Sequence, residues 1–183
     1  MTRDQLWAPW RLGYVKGERT PPRPAQTLDL LPGADPNCFI CRAAADTHDR
    51  ENLVVSRGRE TVVILNRYPY NNGHLLVACQ RHLGRLDELP TQTNLEAIET
   101  ISNMVTLVTR LMNPDGFNIG LNLGKVAGAG VPGHLHWHIV PRWLGDTNFM
   151  PVLAGVDVIP QSLDELWSLL TEALSATGKE NGP

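Results

Sequence analysis

Three of the six histidines in this 183-residue chain fall at alternate positions in His134-Leu135-His136-Trp137-His138. That alternation predicts a β-strand, because successive side chains on a strand point to opposite faces and advance ~3.3 Å per residue. The three imidazoles then share one face, while Leu135, Trp137 and Ile139 anchor the other. Pro141 lacks a ladder donor and predicts where regular pairing stops.

Buried imidazoles without partners cost about 1–3 kcal/mol each, so three in register point to chemistry rather than packing. Two chemistries compete for them. One is a three-imidazole zinc site with a water in the open position. The other is nucleophilic catalysis, in which a neutral imidazole attacks phosphorus and a neighbour stabilises the charge. The outer two of the three would lie ~13 Å apart along a straight strand, too far for a single ion, which favours the nucleophile.

The length suits one domain with a continuous core. With 42% hydrophobic and 19% charged residues the composition is that of a globular protein, and no apolar run reaches the ~20 residues of a membrane span. The N-terminus has no hydrophobic signal region, and three cysteines suit a reducing compartment, so a cytoplasmic location is expected. A net charge of −3 argues against a nucleic-acid polymer as partner, but leaves room for a small anionic ligand held by a few donors.

Trp7, Trp10 and Tyr14 form an aromatic segment too short for a core of its own, expected to dock on the main domain or a partner subunit. Pro21, Pro22, Pro24, Pro32 and Pro36 extend it into an irregular arm. Cys38 and Cys41 follow at a spacing suited to one tetrahedral metal ion. A redox pair or two packed thiols are the competing readings; the redox reading would need a parallel βαβ fold, and the runs that follow look antiparallel.

Short apolar runs over 53–56, 61–66 and 74–79 read as a meander of strands, with Cys79 as a small core residue. His82, just beyond the third run, is a further candidate ligand for the cysteine pair. Leu95, Ile98, Ile101, Val105, Val108 and Leu111 predict a helix over 95–112 with that stripe in the core. Thr93 and Glu96 form its capping box, and Asn113-Pro114 ends it.

Residues 116–123 alternate like another strand, and the loop 124–133 leads straight into the histidines. Gly128, Gly130 and Gly133 match a dinucleotide fingerprint only formally, because that motif opens a helix and this one opens a strand. Lys125 belongs to no P-loop. Turn-making or close backbone approach to a phosphate both explain such a loop. Leu163, Leu166, Leu170 and Leu174 predict a last helix, and the polar residues from Thr177 onward are expected to fray.

The run His134-Leu135-His136-Trp137-His138-Ile139-Val140 resembles the motif of the histidine-triad (HIT) superfamily of nucleotidyl transferases and hydrolases. Asn66-Arg67-Tyr68-Pro69 and Gly73-His74-Leu75-Leu76-Val77 extend the likeness, which covers roughly Cys38 to Trp143. Trp7-Ala8-Pro9-Trp10-Arg11, Gly116-Phe117-Asn118-Ile119-Gly120-Leu121-Asn122 and Gly145-Asp146-Thr147-Asn148-Phe149 look most like the bacterial diadenosine tetraphosphate phosphorylase (ATP adenylyltransferase) branch.

This resemblance implies an α+β fold, an antiparallel sheet of about five strands with a long packed helix and a C-terminal helix, in a homodimer or higher oligomer. It implies an arm over 1–36, a catalytic domain over 37–150 and a C-terminal extension over 151–183. His136 becomes the nucleophile that attacks the α-phosphorus, and His138 a donor to the phosphate oxygens. Asn66 matches the ribose-binding position and Asn122 an amide near the phosphates. Lys125 and the loop amides would add charge stabilisation. Gly130 stands where relatives commonly carry Gln or Ser, and Trp143 matches a position that faces substrate or packs. Cys38, Cys41, His82 and His134 match the ligands of a structural zinc.

The expected reaction is phosphorolysis of diadenosine tetraphosphate to ADP and ATP through a nucleotidyl-histidine, without an organic cofactor. A HIT-type hydrolase or phosphoramidase and a non-catalytic nucleotide-binding scaffold are the alternatives.

Overall fold

The computed structural model describes residues 28–147 and 158–180. The aromatic segment Trp7 to Tyr14, Pro21, Pro22 and Pro24, and Asn148 and Phe149 lie outside the described residues. Five strands form one antiparallel sheet: β1 (Val54–Arg57), β2 (Thr61–Leu65), β3 (Leu75–Cys79), β4 (Gly116–Leu121) and β5 (His136–Arg142), in the order β1-β2-β3-β5-β4. Helix α1 (Phe39–Ala45) and the single turn α2 (Asp49–Asn52) precede the sheet. Helix α3 (Thr91–Met112) lies between β3 and β4, and α4 (Leu163–Glu180) closes the chain.

Strands β2 and β3 are continuous apolar runs, and every residue in them is buried, as central strands covered on both sides require. Between them the chain reverses at Gly73, whose positive φ and tight surroundings disfavour any side chain. A Cβ there would meet Pro141 at 3.1 Å and Met112 at 3.2 Å.

Strand β5 begins at His136, so His134 sits on a bend before the strand rather than inside it. At its other end, pairing with β3 stops at Ile139, but pairing with β4 continues to Arg142. The carbonyl of Pro141 turns away from β4 and accepts from the Asn71 amide, 3.0 Å. A missing donor on that side costs nothing, and the strand runs one residue past the proline that was expected to end it.

The long helix corrects two further expectations. It starts at Thr91 after Pro90, and no side chain caps it. The Glu96 carboxylate instead accepts from the backbone N–H of Glu60 (2.8 Å), that of Thr61 (3.0 Å) and the Thr61 hydroxyl (2.8 Å), tying the helix to the start of β2. This tether brings Thr93 and Ala97 against the core with Ile101, Met104, Leu107 and Val108, and the smaller residues permit the close approach. Leu95 and Ile98 consequently turn outward, 53% and 59% exposed. The helix ends where expected, at Asn113 in the left-handed region before Pro114.

Helix α4 buries Leu166 and Leu170. The Trp167 indole N–H donates to the Val54 carbonyl at 2.7 Å, and Arg50 lies over the same ring while forking onto Asp164. Thr177 to Glu180, expected to fray, continue the helix.

Replacing Glu96 with Ala strands the Thr61 backbone donor, which lies in a fully buried residue. We expect a loss of about 1–3 kcal/mol in denaturant unfolding. A loss below about 0.5 kcal/mol, the range of neutral surface changes, would show that the tether is dispensable.

Candidate functional site

Two clusters flank the start of β5, and His134 and His136 face different ones. Helix α1 supplies Cys38, at its N-cap, and Cys41; the turn after β3 supplies His82 and the bend before β5 supplies His134. Cys38, Cys41 and His134 are buried, and the ligand atoms of the four residues lie within 4.8 Å of one another. The Cys38 sulfur is 3.4 Å from His134 Nδ1, and the Cys41 sulfur is 3.4 Å from His134 Nδ1 and 3.2 Å from His82 Nδ1.

A tetrahedral zinc with bonds of ~2.3 Å to sulfur and ~2.05 Å to nitrogen has S···N edges of about 3.5 Å, so the residues fit such an ion. The orientation of His134 fits as well. Its Nε2–H donates to the Cys79 carbonyl at 2.7 Å, which turns the Nδ1 lone pair toward the thiols. Gly133 accommodates His82, since a Cβ there would lie 3.0 Å from its Nε2. Burial first, and then the proximity of Cys41, push the Cys38 thiol up to about 11 without an ion; a bound cation would reverse that balance and favour the thiolate.

The second cluster lies on the other side of His136. This residue pairs with Ala78 of β3, and one step beyond the last β4–β5 pair, Leu121 with Trp137, places Asn122 opposite it. His138 pairs with Leu76 on one side and Gly120 on the other. Among the described residues nothing lies within 4 Å of where a Gly120 Cβ would stand, so they leave the sheet beside His138 uncovered at that point. The His136 and His138 rings meet edge to face with centroids 5.1 Å apart.

Hydrogen bonds assign a proton to each ring. His136 Nδ1–H donates to the His134 carbonyl at 2.8 Å, which in the neutral ring leaves the lone pair on Nε2. The Tyr70 backbone N–H donates to His74 Nδ1 at 3.1 Å, so the His74 proton must sit on Nε2, from which it donates to His138 Nδ1 at 2.9 Å. The His138 proton is then on Nε2, a buried donor without a partner among the described residues. The cluster therefore presents one nucleophilic nitrogen beside one unspent N–H.

Burial lowers His74 to about 3, with His138 and His136 adding repulsion, and lowers His138 to about 4, with His136 the second cause. Both rings are neutral near pH 7, as this proton assignment requires.

His74 is the residue that sequence reading missed. It stood there in a strand and in the Gly73-His74-Leu75-Leu76-Val77 run of the resemblance but was given no part in the site, although it is 1% exposed and faces His138 across the sheet. A polar residue opening a fully apolar strand directly after Asn71-Asn72-Gly73 was the available signal.

Asn66, adjacent to His74, borders the same cluster, its amide 3.2 Å from His74 Nδ1 and its oxygen accepting from the Tyr68 N–H. Asn122 is half-buried and donates to the Gly128 carbonyl at 3.5 Å, across the loop that carries the exposed Lys125 and Gly130. Trp143 is not brought to this cluster. It lies five residues beyond His138, about 16 Å along the strand, and its indole N–H donates to the Met112 carbonyl at 3.3 Å. Beside it Asp146 accepts from Arg142, Asn71 and the Trp143 backbone, which ties the end of β5 to the turn carrying Tyr70 and His74.

The HIT domain family model matches residues 48–143. A Mycobacterium tuberculosis protein named AP-4-A phosphorylase is 36% identical over 177 residues, spanning 92% of this chain and 84% of that protein. The asymmetrical bis(5'-nucleosyl)-tetraphosphatase of Schizosaccharomyces pombe is 30% identical over 93 residues, spanning 51% of this chain and 50% of that enzyme. Among solved structures, a zinc-bound histidine triad family protein from Mycobacterium smegmatis superposes with a TM-score of 0.57 at 25% identity, over 70% of this chain and 88% of that one.

The depressed His74 value sets a pH dependence. An unfolded histidine binds its proton near pH 6.5, whereas folded His74 resists until about 3, so the unfolded chain holds more protons between these values and stability falls as pH falls. We expect His74 alone to contribute a slope of up to about 1.4 kcal/mol per pH unit in this window. Unfolding free energies measured from pH 7 to 4 on the wild type and on His74→Gln should show a shallower fall for the variant; parallel curves would contradict the assignment.

Proposed function

The chain belongs to the histidine-triad (HIT) family, and from that premise we propose that it is a nucleotidyl transferase that phosphorolyses diadenosine tetraphosphate to ADP and ATP. The observation that carries this reading is the hydrogen bonding that directs the His136 proton to Nδ1 and the His138 proton to Nε2, which in the neutral rings sets a free nitrogen beside an unspent N–H. The 36% identity to a mycobacterial phosphorylase over nearly the whole chain supports the choice of reaction.

In the first displacement the His136 Nε2 lone pair forms a bond to the α-phosphorus of one adenylyl group. The bond from that phosphorus to the bridging oxygen breaks, and its electron pair leaves on the ATP. The imidazole becomes cationic as the P–N bond forms, and its Nδ1–H donates to the His134 carbonyl, which stabilises that charge. The His138 Nε2–H donates a hydrogen bond to the phosphate oxygens, where negative charge concentrates, and keeps its proton throughout. In the second displacement an oxygen of inorganic phosphate attacks the same phosphorus, the P–N bond breaks, and ADP leaves with His136 restored to its starting tautomer.

Asn66 would hold the ribose, and Asn122, Lys125 and the amides around Gly130 would meet the phosphates from the open side of the sheet. Trp143 would serve by anchoring the end of β5 to α3. Cys38, Cys41, His82 and His134 would hold a structural zinc, which would supply a fixed point joining α1 to the residue whose carbonyl orients His136. The arm, catalytic domain and C-terminal extension, the homodimer and the cytoplasmic setting complete this reading. No helix among the described residues is long and apolar enough to cross a membrane.

Incubation with diadenosine tetraphosphate should yield ADP and ATP only when phosphate is present, and His136→Ala should lose turnover by on the order of 10⁴-fold or more. AMP and ATP without phosphate would mark a hydrolase instead, and near-normal turnover by the variant would overturn the mechanism. Protein purified without chelator should carry one zinc per chain by elemental analysis, and Cys38→Ser should lose it; metal-free wild-type protein would contradict the proposed ligand set.

A further inference from the structure

Tyr70 stands against the cluster in a way that phosphate chemistry by itself does not require. Its ring is stacked over His138, with centroids 5.8 Å apart and planes 21° from parallel, and tilts over His74 at 4.7 Å. Its backbone N–H is the donor that fixes the His74 tautomer. The residue is nevertheless 61% exposed, so the ring covers the two imidazoles with one face and meets solvent elsewhere. A tyrosine ring placed this way presents its apolar face to the imidazoles and its hydroxyl end to water. What lies beneath is the His74 to His138 hydrogen bond.

We propose that Tyr70 is a positioning residue: its ring seals the His74–His138 pair from water and sets the plane of the His138 imidazole so that Nε2–H faces the reacting phosphate. Three links make the chain of action. Tyr70 N–H directs the His74 proton to Nε2, His74 directs the His138 proton to Nε2, and the Tyr70 ring prevents His138 from rotating out of that arrangement. Water admitted beside the pair would compete for His138 Nδ1 and free the ring to turn. The titratable groups that face His138 are His74 at the start of β3, His136 on β5 and Tyr70 itself; His136 and His138 also crowd His74. The low values of both imidazoles accord with a dry pair. The phenol oxygen is not used in this role, which distinguishes it from a substrate contact.

The proposal rests on the nucleotidyl-transfer reading for its kinetic readout but not for its spectroscopic one. Ring ¹⁵N resonances of His74 and His138, followed from pH 7 to 3 in the full chain, report the seal directly. In Tyr70→Ala the midpoints of both imidazoles should rise toward the ordinary histidine value by about one unit or more, since desolvation is the main force holding them down. With diadenosine tetraphosphate and phosphate, the same variant should lose kcat about tenfold or more while KM stays within about twofold, a part of what one preorganised hydrogen-bond donor supplies. Tyr70→Phe, which keeps the ring, should restore both readouts.

Unshifted midpoints in Tyr70→Ala would overturn the seal. A loss confined to KM, or an equal loss in Tyr70→Phe, would make the phenol a substrate contact and overturn the positioning role. If the wild type fails to turn over the dinucleotide, the transfer reading falls, and the resonance midpoints still decide the role of Tyr70.

Discussion

The 2.8 Å hydrogen bond from His136 Nδ1 to the His134 carbonyl is the contact on which the site depends. It decides which nitrogen of His136 is free, and it does so through backbone rather than through another side chain. In the proposed mechanism the neutral ring held in this tautomer needs no separate base, because its proton lies on Nδ1 and the Nε2 lone pair is free. The same peptide joins two otherwise separate clusters. The His134 ring turns back toward Cys38, Cys41 and His82, and its carbonyl turns forward to His136. Geometry at the Cys38–Cys41–His82–His134 cluster is therefore passed to the His136 ring over a single residue.

The other side of the site is held by a polar relay in a dry environment. Tyr70 N–H, His74 and His138 form a line in which each donor leaves the next ring one protonation choice. Low solvent access strengthens such bonds and raises the cost of breaking them. Asp146, which accepts from Arg142, Asn71 and the Trp143 backbone, braces the turn that carries this line against the far end of β5. Both catalytic candidates are thus positioned from outside β5: His136 from the bend before it, His138 from the neighbouring strand.

Much of this was legible in the residues. Alternation in the histidine run required a strand with two unlike faces, and the apolar runs of β2 and β3 required central positions in a sheet. Cys38 and Cys41 suggested a metal site by spacing and the resemblance added His82 and His134; the fold brings the ligand atoms of all four within 4.8 Å of one another. What escaped sequence reading depended on pairing and on close approach. His74 acquires meaning only when β3 lies beside β5, sixty-four residues later. The predicted stripe of α3 holds at Ile101, Val105, Val108 and Leu111 but fails at its first turn, because an apolar pattern does not reveal that Glu96 pulls Thr93 and Ala97 inward and leaves Leu95 and Ile98 in solvent. Pro141 was read as a stop because its carbonyl direction, toward Asn71 and away from β4, is a property of the sheet rather than of the residue.

The central claim is that the reacting phosphorus passes through a covalent bond to His136 Nε2. Its most direct test is the stereochemical course at that phosphorus, followed with a dinucleotide whose α-phosphate is made chiral by a single sulfur. Two in-line displacements each invert the centre, so the account predicts net retention in the ADP formed. Net inversion would mean that phosphate attacks the dinucleotide directly, and would contradict the account.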